Sequence, residues 1–167
     1  MSHAEHRAAA PKSILCFVLT ISDTRTKTTD ASGRAICELL KQAGHTVSGH
    51  AIVRDEPAEV AALVRRQVDE LGVMAVLTTG GTGITTRDST VDAIDGLLEK
   101  RLDGFGELFR MLSYEDIGPA AMLSRAIAGT VARTAVFVMP GSEAAVRLAM
   151  TKLILPELGH VVQQVNR

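Results

Sequence analysis

Ile14 to Ile21 is an apolar run of strand length, rich in branched side chains, which predicts a central strand buried on both faces. After a polar stretch, Ala35, Ile36, Leu39, Leu40 and Ala43 recur at helical spacing, and Gly44 follows at a C-cap position. Thr46 to Val53 reads as a second, weaker strand. Pro57 then takes a first-turn place, and Val60, Leu63, Val64, Val68 and Leu71 form a helical stripe closed by Gly72. A third strand, Val73 to Thr78, runs into Gly80-Gly81-Thr82-Gly83. Ser89 or Thr90 caps the next helix, whose apolar face is Val91, Ile94, Leu97 and Leu98. Another helix spans Asp103 to Leu112, with Phe105, Leu108, Phe109 and Leu112 on one side. Pro119 opens a short helix through Ile127, and Thr134 to Met139 is the last clear strand. Pro140-Gly141-Ser142 turns the chain into a helix faced by Val146, Ala149, Met150, Leu153 and Ile154, which Pro156 breaks.

Strands alternating with helices predict an α/β fold, a largely parallel sheet covered by helices on both faces. Residues 1–12, with Ala8-Ala9-Ala10-Pro11 after a polar start, read as a flexible tail, leaving 13–167 as one domain. Composition narrows the picture. With 46% hydrophobic residues, 3% aromatics and no Trp, disorder is excluded over most of the length, and the core is built from aliphatic side chains and Met. Eighteen basic against 19 acidic residues leave a net charge of −1, so no global basic field exists to hold a nucleic-acid backbone. No apolar run approaches the roughly 20 residues of a membrane helix, and the expected location is the cytoplasm. Cys16 and Cys37 form no CxxC pair and read as buried thiols of a reducing compartment.

In a parallel sheet the strand C-terminal ends share one edge, where ligands bind beside helix N-termini. The exits here are Ser22-Asp23-Thr24, Arg54-Asp55-Glu56, Thr79 to Gly83 followed by Arg87-Asp88, and Pro140-Gly141-Ser142. All are polar or glycine-rich. The glycine turn can aim backbone N–H groups at a phosphate, or it can be a tight connection using glycine for positive φ. Asp55 and Asp88, on two exits of one edge, suit Mg²⁺ together with substrate phosphates. Capping is the plain alternative for each, of the Pro57 helix by Asp55 and of the Ser89 helix by Asp88, or Asp88 pairs with Arg87. Asp30, Ser32 and Gly33 offer another anion seat or, taken singly, an ordinary cap. His3, His6, His45, His50 and His160 show no metal spacing and read as surface or loop residues, and Arg65 and Arg66 as solvated. No Gly-x-Ser-x-Gly or His-Glu-x-x-His motif supports a hydrolase or zinc protease, and the first strand lacks a dinucleotide fingerprint.

Thr78-Thr79-Gly80-Gly81-Thr82-Gly83 with Arg87-Asp88, Gly104-Phe105-Gly106-Glu107 through Arg110, Leu123-Ser124-Arg125 and Met139-Pro140-Gly141-Ser142 occur in one order across Ser13 to Val165. This set resembles the molybdenum cofactor biosynthesis protein B and molybdopterin adenylyltransferase family. The resemblance implies a three-layer α/β/α sandwich, assembly into homotrimers or homohexamers, and partnership with other molybdenum cofactor enzymes. It further implies Mg²⁺ and ATP acting on molybdopterin, with AMP joined to its terminal phosphate and pyrophosphate released. A non-catalytic molybdopterin-binding or scaffold protein of the same pathway is the alternative, favoured by the Pro-Gly-Ser turn. By motif position Asp55 and Asp88 match the catalytic, metal-handling carboxylates, and Gly80, Gly81, Thr82 and Gly83 the loop against nucleotide and pterin phosphate. Ser22, Asp23, Glu107, Ser124, Gly141 and Ser142 match the walls. Arg110 and Arg125 are either phosphate contacts or salt-bridge partners. The apolar group Phe105, Leu108, Phe109, Met111 and Leu112 fits a surface covered by a second copy.

Overall fold

β1 (Leu15–Ile21) runs parallel to β2 (Thr46–Val53) on one side and β3 (Ala75–Thr79) on the other in the computed structural model, which describes residues 2–70 and 72–167. β4 (Lys100–Arg101), β5 (Ile127–Val131) and β6 (Thr134–Met139) complete a six-stranded sheet of order β2-β1-β3-β6-β5-β4. Four strands are parallel, while β5 joins β6, and β4 joins β5, in antiparallel register. The alternation along β1 separates two cores. Cys16 and Val18 face one layer with α2 (Ala31–Gln42), α5 (Asp103–Ile117), α6 (Glu143–Ala149) and α7 (Leu155–Val165), whose Ile36, Phe109, Val146 and Leu158 are buried there. Phe17, Leu19 and Ile21 face the other, with α3 (Pro57–Asp69) and α4 (Thr90–Asp95) supplying Val60, Val64 and Ile94. The fold is therefore the three-layer α/β/α sandwich expected, and none of the described helices is long and apolar enough to cross a membrane.

Several local expectations change. Within the stretch read as a flexible tail, α1 (His3–Ala8) forms behind a Ser2–Glu5 capping box. It docks on α7 through Arg7 to Glu157 at 2.9 Å and Gln163 Nε2 to the Ala9 carbonyl at 3.1 Å. The helix expected from Pro119 to Ile127 is a 3₁₀ turn, Gly118–Leu123, followed by β5. Small residues hide that strand in the sequence, yet Gly129 is required because a Cβ there would strike the Lys100 carbonyl across the ladder. α4 ends at Asp95, before Leu97 and Leu98, and α5 continues past Leu112 to Ile117. Pro156 does not break its helix. A π-helical segment, Met150–Ile154, precedes α7, so the missing N–H of Pro156 falls where the hydrogen-bond ladder changes step. Leu71, expected on the α3 stripe, lies outside the described residues.

Candidate functional site

Parallel pairing brings the exits of β1, β2, β3 and β6 to one edge. There the Gly80 N–H donates to the Met139 carbonyl at 3.0 Å and the Thr79 hydroxyl to the Pro140 carbonyl at 2.7 Å, seating the glycine loop beside the Pro140-Gly141-Ser142 turn. Gly80 and Gly81 have φ of +101° and +68°. A Cβ on Gly80 would run into the Ile21 carbonyl oxygen, and one on Gly81 into Thr90, so the loop threads between the end of β1 and the start of α4. Among the described residues no acceptor meets the backbone N–H of Gly81, Thr82, Gly83 or Ile84, although Thr82 is only 6% exposed. Four consecutive unpaired donors at this edge form a shelf suited to anionic oxygen.

The carboxylates have distinct surroundings. Asp55 is buried, and its Oδ1 accepts from the Ser89 hydroxyl at 2.8 Å, the Thr90 hydroxyl at 3.1 Å and the Ser89 N–H at 3.2 Å. It caps α4 rather than the Pro57 helix, whose N-cap receives no side-chain bond. Asp88 caps nothing and does not pair with Arg87. Its Oδ2 accepts from the Thr85 hydroxyl at 2.6 Å and N–H at 3.1 Å, and a Cβ on Gly83 would come within 2.5 Å of that oxygen. Oδ1 of Asp88 receives no hydrogen bond among the described residues. Arg87 instead grips Asp23 through Nε at 2.8 Å and a terminal nitrogen at 3.0 Å, and reaches Glu56 at 2.8 Å. The Arg87 guanidinium holds the Asp23 carboxyl below the usual carboxylate range, helped by the Asp55 N–H that donates to it at 3.1 Å.

Ser22 folds its own loop, its Oγ accepting from the N–H of Thr24 at 3.2 Å and of Arg25 at 3.0 Å. The Gly141 carbonyl accepts from the Ser32 hydroxyl at 2.7 Å and from Arg25 at 3.1 Å, while Ser142 caps α6 through the Ala145 N–H at 3.2 Å. Asp30 is fully buried and caps α2 at the Gly33 N–H, 2.9 Å away. Its second oxygen accepts from the Thr20 hydroxyl at 2.6 Å and lies 3.0 Å from His50 Nε2. His50 is thus no surface residue but part of the scaffold beneath the first exit. Arg125 adjoins the glycine loop, Ser124 bonds to its own neighbours Ala121 and Ala126 and to Arg110, and Glu107 is exposed on α5 with no hydrogen bond or ion pair to the exits among the described residues. Arg110 donates to the backbone on either side of Arg125.

Sequence reasoning places the edge and the loop but misses Arg25, the Asp23–Arg87 grip, and Ser89 and Thr90 as partners of Asp55. Each pairing joins residues that no local spacing connects, and only the strand order brings them together. Asp30 and Ser32 prove to be cap and brace.

The family described as "Probable molybdopterin binding domain" matches residues 17–160. The chain is 56% identical over 168 residues to the molybdenum cofactor biosynthesis protein B of Bacillus anthracis, covering 100% of this chain and 99% of that one. It is 51% identical over 168 residues to the protein of the same name from Bacillus subtilis, with 100% and 99% covered. A crystal structure of a molybdenum cofactor biosynthesis protein B superposes with a TM-score of 0.91 at 57% identity, over 95% of this chain and 99% of that one. The tungsten cofactor synthesizing protein MoaB from Pyrococcus furiosus follows the same path with a TM-score of 0.85 at 36% identity, over 95% and 100%. A glycine loop with unpaired N–H groups at the carboxyl edge of a parallel sheet is thus set in a chain that belongs to the molybdopterin-binding domain family of the molybdenum cofactor biosynthesis proteins B.

Proposed function

We propose that this chain binds molybdopterin at the glycine loop and adenylylates it with Mg-ATP. The observation that carries the reading is the shelf of unpaired N–H groups from Gly81 to Ile84, which fits a phosphate without a cationic side chain. In the transfer a terminal phosphate oxygen of molybdopterin forms a bond to the α-phosphorus of ATP. The bond from that phosphorus to the α,β-bridging oxygen breaks, and pyrophosphate leaves with the electron pair. The task left to the protein is to hold two anions in line and offset developing charge. The loop N–H groups and the capped start of α6 at Ser142 face that task from two exits.

Mg²⁺ takes one or two carboxylates along with substrate phosphates, and bound there it would neutralise phosphate charge. Asp88, with Oδ1 receiving no hydrogen bond, fits that demand. Asp55 is enclosed by three donors and holds the loop in place through α4. The committed state of Asp55 also favours a second reading, a protein that binds molybdopterin without turnover.

The deciding experiment mixes the protein with molybdopterin, ATP and Mg²⁺ and follows pyrophosphate. Adenylylated pterin whose formation falls in Asp88→Asn supports the enzyme; saturable molybdopterin binding without pyrophosphate supports the binding protein; absence of binding removes both. Exposed apolar side chains at Leu108, Met111, Tyr114, Met122 and Leu123 support the expected homotrimer or homohexamer. A monomer in sedimentation at micromolar concentration would rule that assembly out.

A further inference from the structure

Arg125 follows the 3₁₀ turn and precedes β5, yet its hydrogen bonds go to the glycine loop. Its N–H donates to the Thr82 carbonyl at 3.3 Å, its Nε to the Gly83 carbonyl at 3.0 Å, and a terminal nitrogen to the Asp88 carbonyl at 3.1 Å. The other terminal nitrogen meets Asp92, in the first turn of α4, at 3.2 Å. One residue thus gathers three loop carbonyls and the helix the loop feeds.

A trans peptide carries its C=O and N–H on opposite sides. Turning the carbonyls of Thr82 and Gly83 towards Arg125 therefore turns the N–H groups of Gly83 and Ile84 away from it, and both belong to the unpaired shelf. The charged guanidinium on the Gly83 carbonyl also polarises that peptide, which strengthens the Ile84 N–H as a donor. The segment is itself braced. Arg110 donates to the carbonyls of Ser124 at 3.4 Å and Ala126 at 3.0 Å, and Gly106 permits the approach, since a Cβ there would lie 2.7 Å from the Ala126 oxygen.

We propose that Arg125 is a positioning residue that orients the loop N–H groups towards an anionic substrate without touching that substrate. The proposal rests on the loop being the phosphate cradle. It distinguishes Arg125 from a phosphate ligand, because the fork is spent on the Gly83 and Asp88 carbonyls and on Asp92. Lysine would not replace it, as an ammonium lacks the planar fork that reaches Gly83 and Asp88 at once.

Nitrogen-15 relaxation on the full chain tests it without ligand. Ile84 should have an order parameter of about 0.85 in wild type and below about 0.6 in Arg125→Ala and Arg125→Lys, while Gly83, whose peptide keeps the bond from the Arg125 N–H, should change less. Asp92→Asn, which removes only the outer ion pair, should leave them unchanged. Molybdopterin affinity should fall at least tenfold in both arginine variants, and millimolar guanidinium, but not ammonium, should restore it in Arg125→Ala. Unchanged order in both arginine variants, or wild-type affinity in either, overturns the proposal. If wild type itself binds no molybdopterin, the substrate reading falls and the order parameters alone decide the role of Arg125.

Discussion

The Thr90 hydroxyl donates to Asp55 Oδ1 at 3.1 Å, tying the carboxylate at the exit of β2 to the first residue of α4 across 35 positions of sequence. Ser89 occupies the N-cap of that helix, yet its own side chain makes no capping bond and turns to the same oxygen at 2.8 Å. A remote carboxylate performs the cap. It places negative charge at a helix N-terminus and fixes the residues that follow Asp88.

Removing that charge should cost stability as well as function. Asp55→Asn keeps the shape but presents an amide to three donors, so unfolding in urea should show a loss of about 1–2 kcal/mol with the m-value unchanged. An unaltered midpoint would mean that the bonds from Ser89 and Thr90 contribute nothing.

The two glycine positions at the edge should respond differently to one methyl group. Gly81→Ala meets Thr90 and must hold φ at +68°, a strain of about 1–3 kcal/mol, and should abolish molybdopterin binding. Gly141→Ala meets only the Gly80 Cα, at an ordinary 3.6 Å, and should fold with stability close to wild type. Equal melting temperatures for the two variants would contradict the threading of the loop.

His45 supplies a pH dependence of defined sign. Its Nδ1 accepts the Ile14 N–H at 3.1 Å, and burial holds its pKa below the ordinary value. The unfolded chain therefore takes up the proton first. The contribution of His45 is present above about pH 6.5 and is lost as pH falls towards the folded pKa. Urea midpoints should drop across that window in wild type, and by less in His45→Gln.

Burial pushes the Cys16 thiol up to about 12, and burial also raises Cys37. Ellman's reagent at pH 8 should leave Cys16 untouched in the folded protein and modify it on unfolding in urea. Modification of folded Cys37→Ser, which leaves Cys16 as its one thiol, would show that β1 opens to solvent.

The sheet was legible because strong periodicity carries it: Ile14 to Ile21, the Leu39–Leu40 helix and Thr134 to Met139 all stand where the pattern puts them. β5 escaped because Ile127-Ala128-Gly129-Thr130-Val131 has two small residues at its centre, too little bulk for a period to appear. Within the site, glycine and turn chemistry announced the Gly80–Gly83 loop, since positive φ leaves a local sequence mark. The grip of Arg87 on Asp23 and the fork of Arg125 left no such mark, for each is satisfied by a residue from another strand exit or helix.

The π-helical segment Met150–Ile154 gives the C-terminal helix a fixed phase. The wider turn is bridged in part by the Thr151 hydroxyl, which donates to the Arg147 carbonyl at 2.7 Å, and it adds one residue to the turn that joins α6 to α7. Each residue of a regular helix advances the face by about 100°. The widened turn absorbs its extra residue locally, whereas deleting one from the regular α7 ahead of Leu158 would swing Leu158 and Val162, both now buried, around the axis towards water. The wide turn is therefore the joint of this layer: a change of count is taken up there and not in the helix beyond it.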